Sequence, residues 1–203
     1  MKILITGGAG FIGSHLVDYF LQQPGCDVCC LDNFDPYYDP KEKQRNIEKF
    51  LNNPHFELIK GDICDAALIR TLLADTDYVF HQAAQAGVRI SVDCPEKSHE
   101  VNTTGTLILL ESARDSGVKK IINASSSSVY GKVHYLPFNE DHPKEPVSPY
   151  GVSKLVAEHY CRVFEEIYGL KTISLRYFTV YGPRMRPDLA IHIFMKKAMK
   201  GEP

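Results

Sequence analysis

The strongest constraint on this 203-residue chain is the passage from its first apolar run into a glycine cluster. Lys2–Thr6 reads as a strand, and it opens directly into Gly7-Gly8-Ala9-Gly10-Phe11-Ile12-Gly13. A helical pattern follows from about Gly13 to Gln22, stopped by Pro24-Gly25. Glycines there permit a tight turn, close backbone approach to a pyrophosphate and close packing of helix on strand. The helix N-terminus then offers free N–H groups and partial positive charge to phosphates. Both G-x-G-x-x-G (Gly8, Gly10, Gly13) and G-x-x-G-x-x-G (Gly7, Gly10, Gly13) fit. In isolation a structural turn would explain such a cluster as well. Its place between a strand and a helix favours dinucleotide binding, with Gly7, Gly10, Phe11, Ile12 and Gly13 as candidate contacts.

The rest of the chain repeats the alternation. Strands are expected at Val28–Leu31, Phe56–Ile59, Tyr78–Phe80, Lys120–Ala124 and Thr172–Leu175. Helices are expected near Pro40–Leu51, over Asp65–Leu73 behind an aspartate cap, and over Pro95–Ser116, Ser148–Tyr168 and about Asp188–Lys200. Short apolar strands alternating with amphipathic helices predict an α/β fold, a doubly wound parallel sheet of the Rossmann type covered on both faces.

A formal net charge of −2 supplies no electrostatic reason for a nucleic-acid partner or an anionic membrane. No apolar run reaches the roughly 18–20 residues that span a bilayer, and the N-terminus lacks the pattern of a secretion signal, so the cytoplasm is the expected compartment. Cys26 and Cys29 have C-x-x-C spacing without a second pair or paired histidines. The six cysteines are therefore read as reduced thiols, those within elements serving as small core residues, and no metal is expected.

Asp32 ends the second strand nineteen positions after Gly13, where a carboxylate can accept hydrogen bonds from an adenosine ribose. Asn33 follows, with no adjacent arginine for a 2′-phosphate, so NAD is favoured over NADP. Tyr150 and Lys154 lie four apart at the start of a helix whose phase Ser148 and Pro149 define. Tyr37 and Lys41 share that spacing, but Pro40 sits between them and the pairing reads as chance. A phenol of pKa ~10 is a poor base at neutral pH, and bringing it near 7 takes roughly 4 kcal/mol of preference for phenolate. A neighbouring ammonium, a helix N-terminus and an oxidised nicotinamide all push that way. Ser125-Ser126-Ser127-Ser128 closes the fifth strand, at the edge where open α/β sheets bind ligands.

Taken together, Gly7–Gly13, Ser125–Gly131, Tyr150-Gly-Val-Ser-Lys154 and Arg176–Pro183 resemble the extended short-chain dehydrogenase/reductase family along essentially the whole chain. The resemblance implies Ser126, Tyr150 and Lys154 as the catalytic set, with Ser127 the fallback within the serine run. It implies cofactor contacts from Asp62 and Ile63, from Ala83 and Ala84 in His81-Gln-Ala-Ala84, and from Asn102, beside Tyr150 and Lys154 themselves. Asp32–Asp39, Ala84–Arg89 and Arg184–Ala190 are similar to the family's UDP-glucuronate 4-epimerases. By that similarity Arg89, Thr179 and Arg186 become candidates for the substrate side, since an arginine can grip a carboxylate bidentately; ordinary surface ion pairs would explain the arginines equally well.

The expected activity is NAD-dependent epimerisation at C4 of a UDP-sugar, UDP-glucuronate or UDP-glucose/galactose, through a transient 4-keto sugar. The family's dehydratases and decarboxylases carry acidic residues before Val-Tyr-Gly, where this chain has Ser127-Ser128. Dehydration is thereby disfavoured, and decarboxylation ranks below epimerisation. A catalytically silent NAD-binding module and a net dehydrogenase stay open. The resemblance also implies a homodimer for the full-length protein, a substrate-binding region that starts near residues 177–203, and a missing C-terminal part of that region.

Overall fold

The computed structural model describes residues 1–202. Its strands are β1 (Lys2–Thr6), β2 (Asp27–Asp32), β3 (Phe56–Lys60), β4 (Tyr78–His81), β5 (Lys120–Ser126) and β6 (Thr172–Tyr177). They form one sheet in the order β3-β2-β1-β4-β5-β6, parallel throughout. The expected α/β doubly wound architecture is therefore present. The order reverses direction between β1 and β4, and loops diverging there leave a crevice at the strands' C-terminal ends.

Alternation along each strand assigns the two faces. Leu4, Cys29, Leu31, Val79 and Ile121 point to one side and pack with helices α3 (Ala66–Leu73), α6 (Gly105–Arg114) and α7 (Pro149–Tyr168). Ile3, Ile5, Val28 and Cys30 point to the other and pack with Val17 of α1 (Phe11–Phe20) and Ile47 of α2 (Pro40–Ile47). All six cysteines are free; Cys26, Cys29, Cys30 and Cys161 are buried among these side chains, Cys64 is half-buried and Cys94 exposed. No helix among the described residues is long and apolar enough to cross a membrane.

β2 to β6 run one or two residues past their expected ends, through Asp32, Lys60, His81, Ser126 and Tyr177. A strand read from its apolar run stops too early when its last residues are polar; of these ends Asp32, Ser126 and Tyr177 line the cleft described below. The helix expected over Pro95–Ser116 divides into α5 (Pro95–His99), a π-helical turn over Glu100–Thr104, and α6. Gly105 opens α6 where any Cβ would crowd Ile63, so the wide turn ends at the closest helix–loop approach. A further short helix, α4 (Val88–Asp93), stands where no helical pattern was expected, and the last helix, α8 (Ala190–Lys200), starts two residues late.

Helix α7 begins as expected: the Ser148 hydroxyl accepts from the Gly151 N–H at 3.1 Å, and Pro149 takes the first helical position. At the other end of the sequence, Gly7 is in the left-handed region (φ 67°), and a Cβ on Gly13 would overlap the Gly7 carbonyl oxygen. Backbone, rather than a flexible side chain, blocks that position. Gly13→Ala is accordingly expected to lower unfolding free energy by about 1–3 kcal/mol, read as a lower urea midpoint at unchanged slope. A wild-type midpoint would mean that α1 does not pack this closely on the loop.

Candidate active site

A cleft of about 380 Å³ lies over the C-terminal ends of the strands, walled by the glycine loop, the ends of β2, β4 and β5, the start of α7 and residues after β6. Of the residues expected to contact a cofactor, Gly7, Gly10, Phe11, Ile12, Gly13, Asp32, Asn33, Ile63, Ala83, Ala84, Tyr150 and Lys154 line it. Gly10 caps α1 without a side-chain bond, and the first turn holds no acidic residue, so its N–H groups and dipole face the cleft unopposed.

Asp32 is buried and its carboxylate accepts from the N–H groups of Ala9 (3.2 Å) and Phe34 (2.8 Å). Lys43 of α2 reaches the same carboxylate at 3.3 Å, with its ammonium 5.4 Å from the centre of the Tyr38 ring. Sequence reasoning missed Lys43: its spacing from Asp32 carries no pattern, and only the path of the Asp32–Asp39 loop brings it back. Asp62 sits just off the wall, accepting from Asn33 Nδ2 (2.9 Å) and the Cys64 N–H (2.8 Å), and thus positions Asn33. Asn102 is behind the wall. Its amide accepts from the Gln85 N–H, donates to the Gln85 carbonyl and donates to Ser153 Oγ, bracing the end of β4 against α7.

A second brace runs through the sheet. The Ala83 N–H donates to Thr6 Oγ1, which contacts His81 Nδ1 at 2.7 Å, while His81 Nε2 lies 3.0 Å from Thr106 Oγ1. Thr106 in turn donates to the Asn102 carbonyl, so the network assigns a neutral imidazole that donates from Nε2. Burial, with the charge of Lys154 added, pushes the His81 pKa down to about 3.

At the far end, Tyr150 and Lys154 share one face of α7, and Ser126 ends β5 beside them. Within the serine run the structure separates the four hydroxyls. Ser125 also lines the cleft, but its hydroxyl is taken up by Glu158, to which it donates. Ser126 Oγ accepts from the Ser128 N–H at 3.1 Å and lines the cleft beside Tyr150. Ser127 and Ser128 line the cleft. Burial raises the Tyr150 pKa, and the groups that pull it back are Ser126 and the charge of Arg186. Lys154, expected to lower it directly, is not among those groups; its buried ammonium is bound to the Ala124 carbonyl at 2.8 Å.

On the substrate side, Ser127, Thr179 and Arg186 line the cleft, whereas Arg89 is exposed on α4 and off the wall. Arg186 forms a two-pronged pair with Asp188 (3.0 Å and 3.0 Å), and Tyr37 donates to the same carboxylate at 2.9 Å. Burial opposes the Arg186 charge, but Asp188 outweighs it and holds the guanidinium more firmly protonated. Tyr37 thus belongs to the cleft and Lys41 does not, which dissolves their chance spacing. The loop that presents Arg186 is strapped onto α1: Arg184, itself left-handed at φ 64°, donates to the Ser14 carbonyl (2.8 Å) and to Asp18 (2.6 Å). Among the described residues, Asp32 and Asp35 are the only carboxylates on the cleft wall, and no group of three potential ligands could hold a metal ion.

Burial also lowers the Lys154 pKa, from 10.5 to about 8. The folded chain therefore binds fewer protons than the unfolded chain between those values, and stability rises with pH across that window. Lys154→Met keeps the volume and removes the charge; at pH 7 it is expected to be more stable than the wild type by ~2 kcal/mol. That advantage should shrink as pH rises from 8 towards 10.5. A pH-independent difference in thermal midpoint would refute the assignment.

The family described as GDP-mannose 4,6 dehydratase matches residues 4–202. A putative UDP-glucose 4-epimerase of Methanocaldococcus jannaschii is 42% identical over 98% of this chain, which spans 64% of that protein. UDP-glucuronate 4-epimerase 3 of Arabidopsis thaliana is 40% identical over 99% of the chain, which spans 47% of it. Among solved structures, the UDP-glucuronic acid 4-epimerase of Bacillus cereus in complex with UDP-glucuronic acid and NAD superposes with a TM-score of 0.95 at 40% identity. All of this chain and 64% of that one are covered. A glycine loop at an uncapped helix, a serine–tyrosine–lysine cluster and these likenesses agree: the chain belongs to the GDP-mannose 4,6 dehydratase family, within the extended short-chain dehydrogenases/reductases its motifs resemble.

Proposed function

We propose that the protein binds NAD in this cleft and interconverts C4 epimers of a UDP-sugar. The observation that carries the reading is the meeting of Ser126, Tyr150 and Lys154 in the same crevice as an unopposed helix N-terminus and a buried ribose-type carboxylate, Asp32. The residues present fit the cofactor. Gly7 and Gly13 keep the phosphate loop tight, since a Cβ on either would strike protein backbone, and Asp32 stands where a 2′-phosphate would meet a like charge.

When bound, NAD supplies a hydride acceptor and donor and a cationic ring. The chain's own residues do the rest. Tyr150 removes the proton of the C4 hydroxyl and returns it to the same oxygen after the sugar has turned over. Ser126 holds that oxygen by hydrogen bonding and stabilises the phenolate. Lys154, fixed on the Ala124 carbonyl and lining the cleft, would help to hold the cofactor beside the phenol. The reaction is redox-neutral overall. Elimination of water would need an acid and a base beside the sugar, and the wall near Tyr150 presents Ser127 and Ser128 instead. That favours epimerisation over dehydration, although the family carries a dehydratase's description.

For the sugar we infer UDP-glucuronate ahead of UDP-glucose or UDP-galactose. Arg186 supports this: bonding to Asp188 occupies Nε and one edge of Nη2, which leaves a second fork of the guanidinium for a carboxylate. Incubating the complete gene product with NAD and each sugar, then resolving C4 epimers, tests the reading. Epimerisation of the uronate at the highest kcat/KM is expected. Steady release of NADH would mean a dehydrogenase, loss of carbon dioxide a decarboxylase, and NAD binding without turnover of any sugar a silent module. Tyr150→Phe should reduce kcat by ~10²–10⁴-fold while leaving NAD affinity nearly unchanged; retained activity would show that the base lies elsewhere.

A further inference from the structure

Behind the cleft lies a buried charged cluster that the proposed reaction does not use. Glu158 follows Lys154 by one helical turn, so Tyr150, Lys154 and Glu158 form one stripe of α7. Arg176 of β6 grips Glu158 at both ends, Nε to Oε1 at 2.9 Å and Nη2 to Oε2 at 2.8 Å. Its remaining Nη1 donates to the Tyr130 hydroxyl (3.1 Å) and the Glu140 carbonyl (3.0 Å), and its guanidinium lies 4.9 Å from the centre of the Tyr130 ring. Ser125 Oγ donates to the same Glu158 oxygen as Arg176 Nε. Side-chain exposure is 10% for Glu158 and 18% for Arg176, and neither lines the cleft.

These contacts join every element that frames Ser126. Ser125 precedes it on β5, Arg176 pairs with Ser125 in the sheet register, and Tyr177, which lines the cleft, pairs with Ser126. Tyr130 follows the short 3₁₀ turn, Ser127–Val129, that Ser126 caps. A bidentate carboxylate–guanidinium pair adds directional constraint as well as energy, and this one is largely shielded from water. Rotation of α7 about its axis, or a slip of β5 against β6, breaks it.

We infer that Glu158, clamped by Arg176, is a positioning residue: it sets the phase of α7 against the end of β5 and so holds the Tyr150 phenol on Ser126. The inference rests on the proposed proton transfer by Tyr150, and the wild-type enzyme separates the two. A wild type that neither binds NAD nor epimerises UDP-glucuronate sinks the reaction itself; an active wild type puts the clamp alone on trial.

The test is Glu158→Gln in the complete gene product. Glutamine keeps the shape and removes the charge that orients Arg176. With the clamp loosened, kcat should fall about tenfold to a hundredfold, while KM and NAD affinity change less than about threefold. Because Ser126 lowers the phenol's pKa, the acid limb of the kcat profile should also move to higher pH. Loss of stability alone would leave that limb in place. Ser125→Ala covers the case in which Glu158→Gln does not fold: it cuts the link to β5, leaves the ion pair intact, and should shift kcat and its acid limb in the same direction by less. An active wild type with unmoved limbs and wild-type kcat in whichever variant folds would overturn the proposal.

Discussion

The ammonium of Lys154 sits in the interior with the Ala124 carbonyl as its fixed partner. Desolvating a cation costs several kcal/mol, and one carbonyl returns only part of it. The rest of the molecule supplies the remainder through packing: Ala157, Cys161 and Phe164 of the same helix are buried, the last two packing with Leu109, Leu110 and Ile121. That packing, the carbonyl and the Glu158–Arg176 pair act together on the rotation of α7 over the sheet. Once that rotation is given, the phenol at residue 150 has one direction to face, and it faces the polar end of β5.

Much of this was legible in the chain itself, for identifiable reasons. β1 has the same bounds in pattern and in structure, because its apolar run, Ile3-Leu4-Ile5, is followed by Thr6 and then at once by a glycine turn. The cap of α7 was legible because serine followed by proline has few other uses. The polar ends of β2, β4, β5 and β6 were not, since strand patterning registers burial, and Asp32, His81, Ser126 and Tyr177 are there for hydrogen bonding. The π-helical turn was invisible because it adds one residue to a turn without altering composition.

The site divides in the same way. Glycine spacing and the acid at the end of β2 are local features and could be read directly. Lys43 could not, for it reaches Asp32 only through the fold of a loop. Arg89 and Arg186 are equal in sequence; the sheet brings residues after β6 over the cleft and leaves α4 outside it. Asn102 reads as a cofactor contact in the family's pattern, yet its amide is consumed by Gln85 and Ser153. Its contribution is rigidity between the two halves of the wall.

The strap from Arg184 to α1 carries a separate consequence. It joins positions some 170 apart in the chain through one guanidinium and its neighbours. A contact so few bonds strong can open while both halves of the core stay intact, because none of the sheet's hydrogen bonds passes through it. How firmly the loop carrying Arg186 is held and how stably the sheet folds are then set by different contacts, so substitutions at Arg184 or Asp18 can alter the first and spare the second.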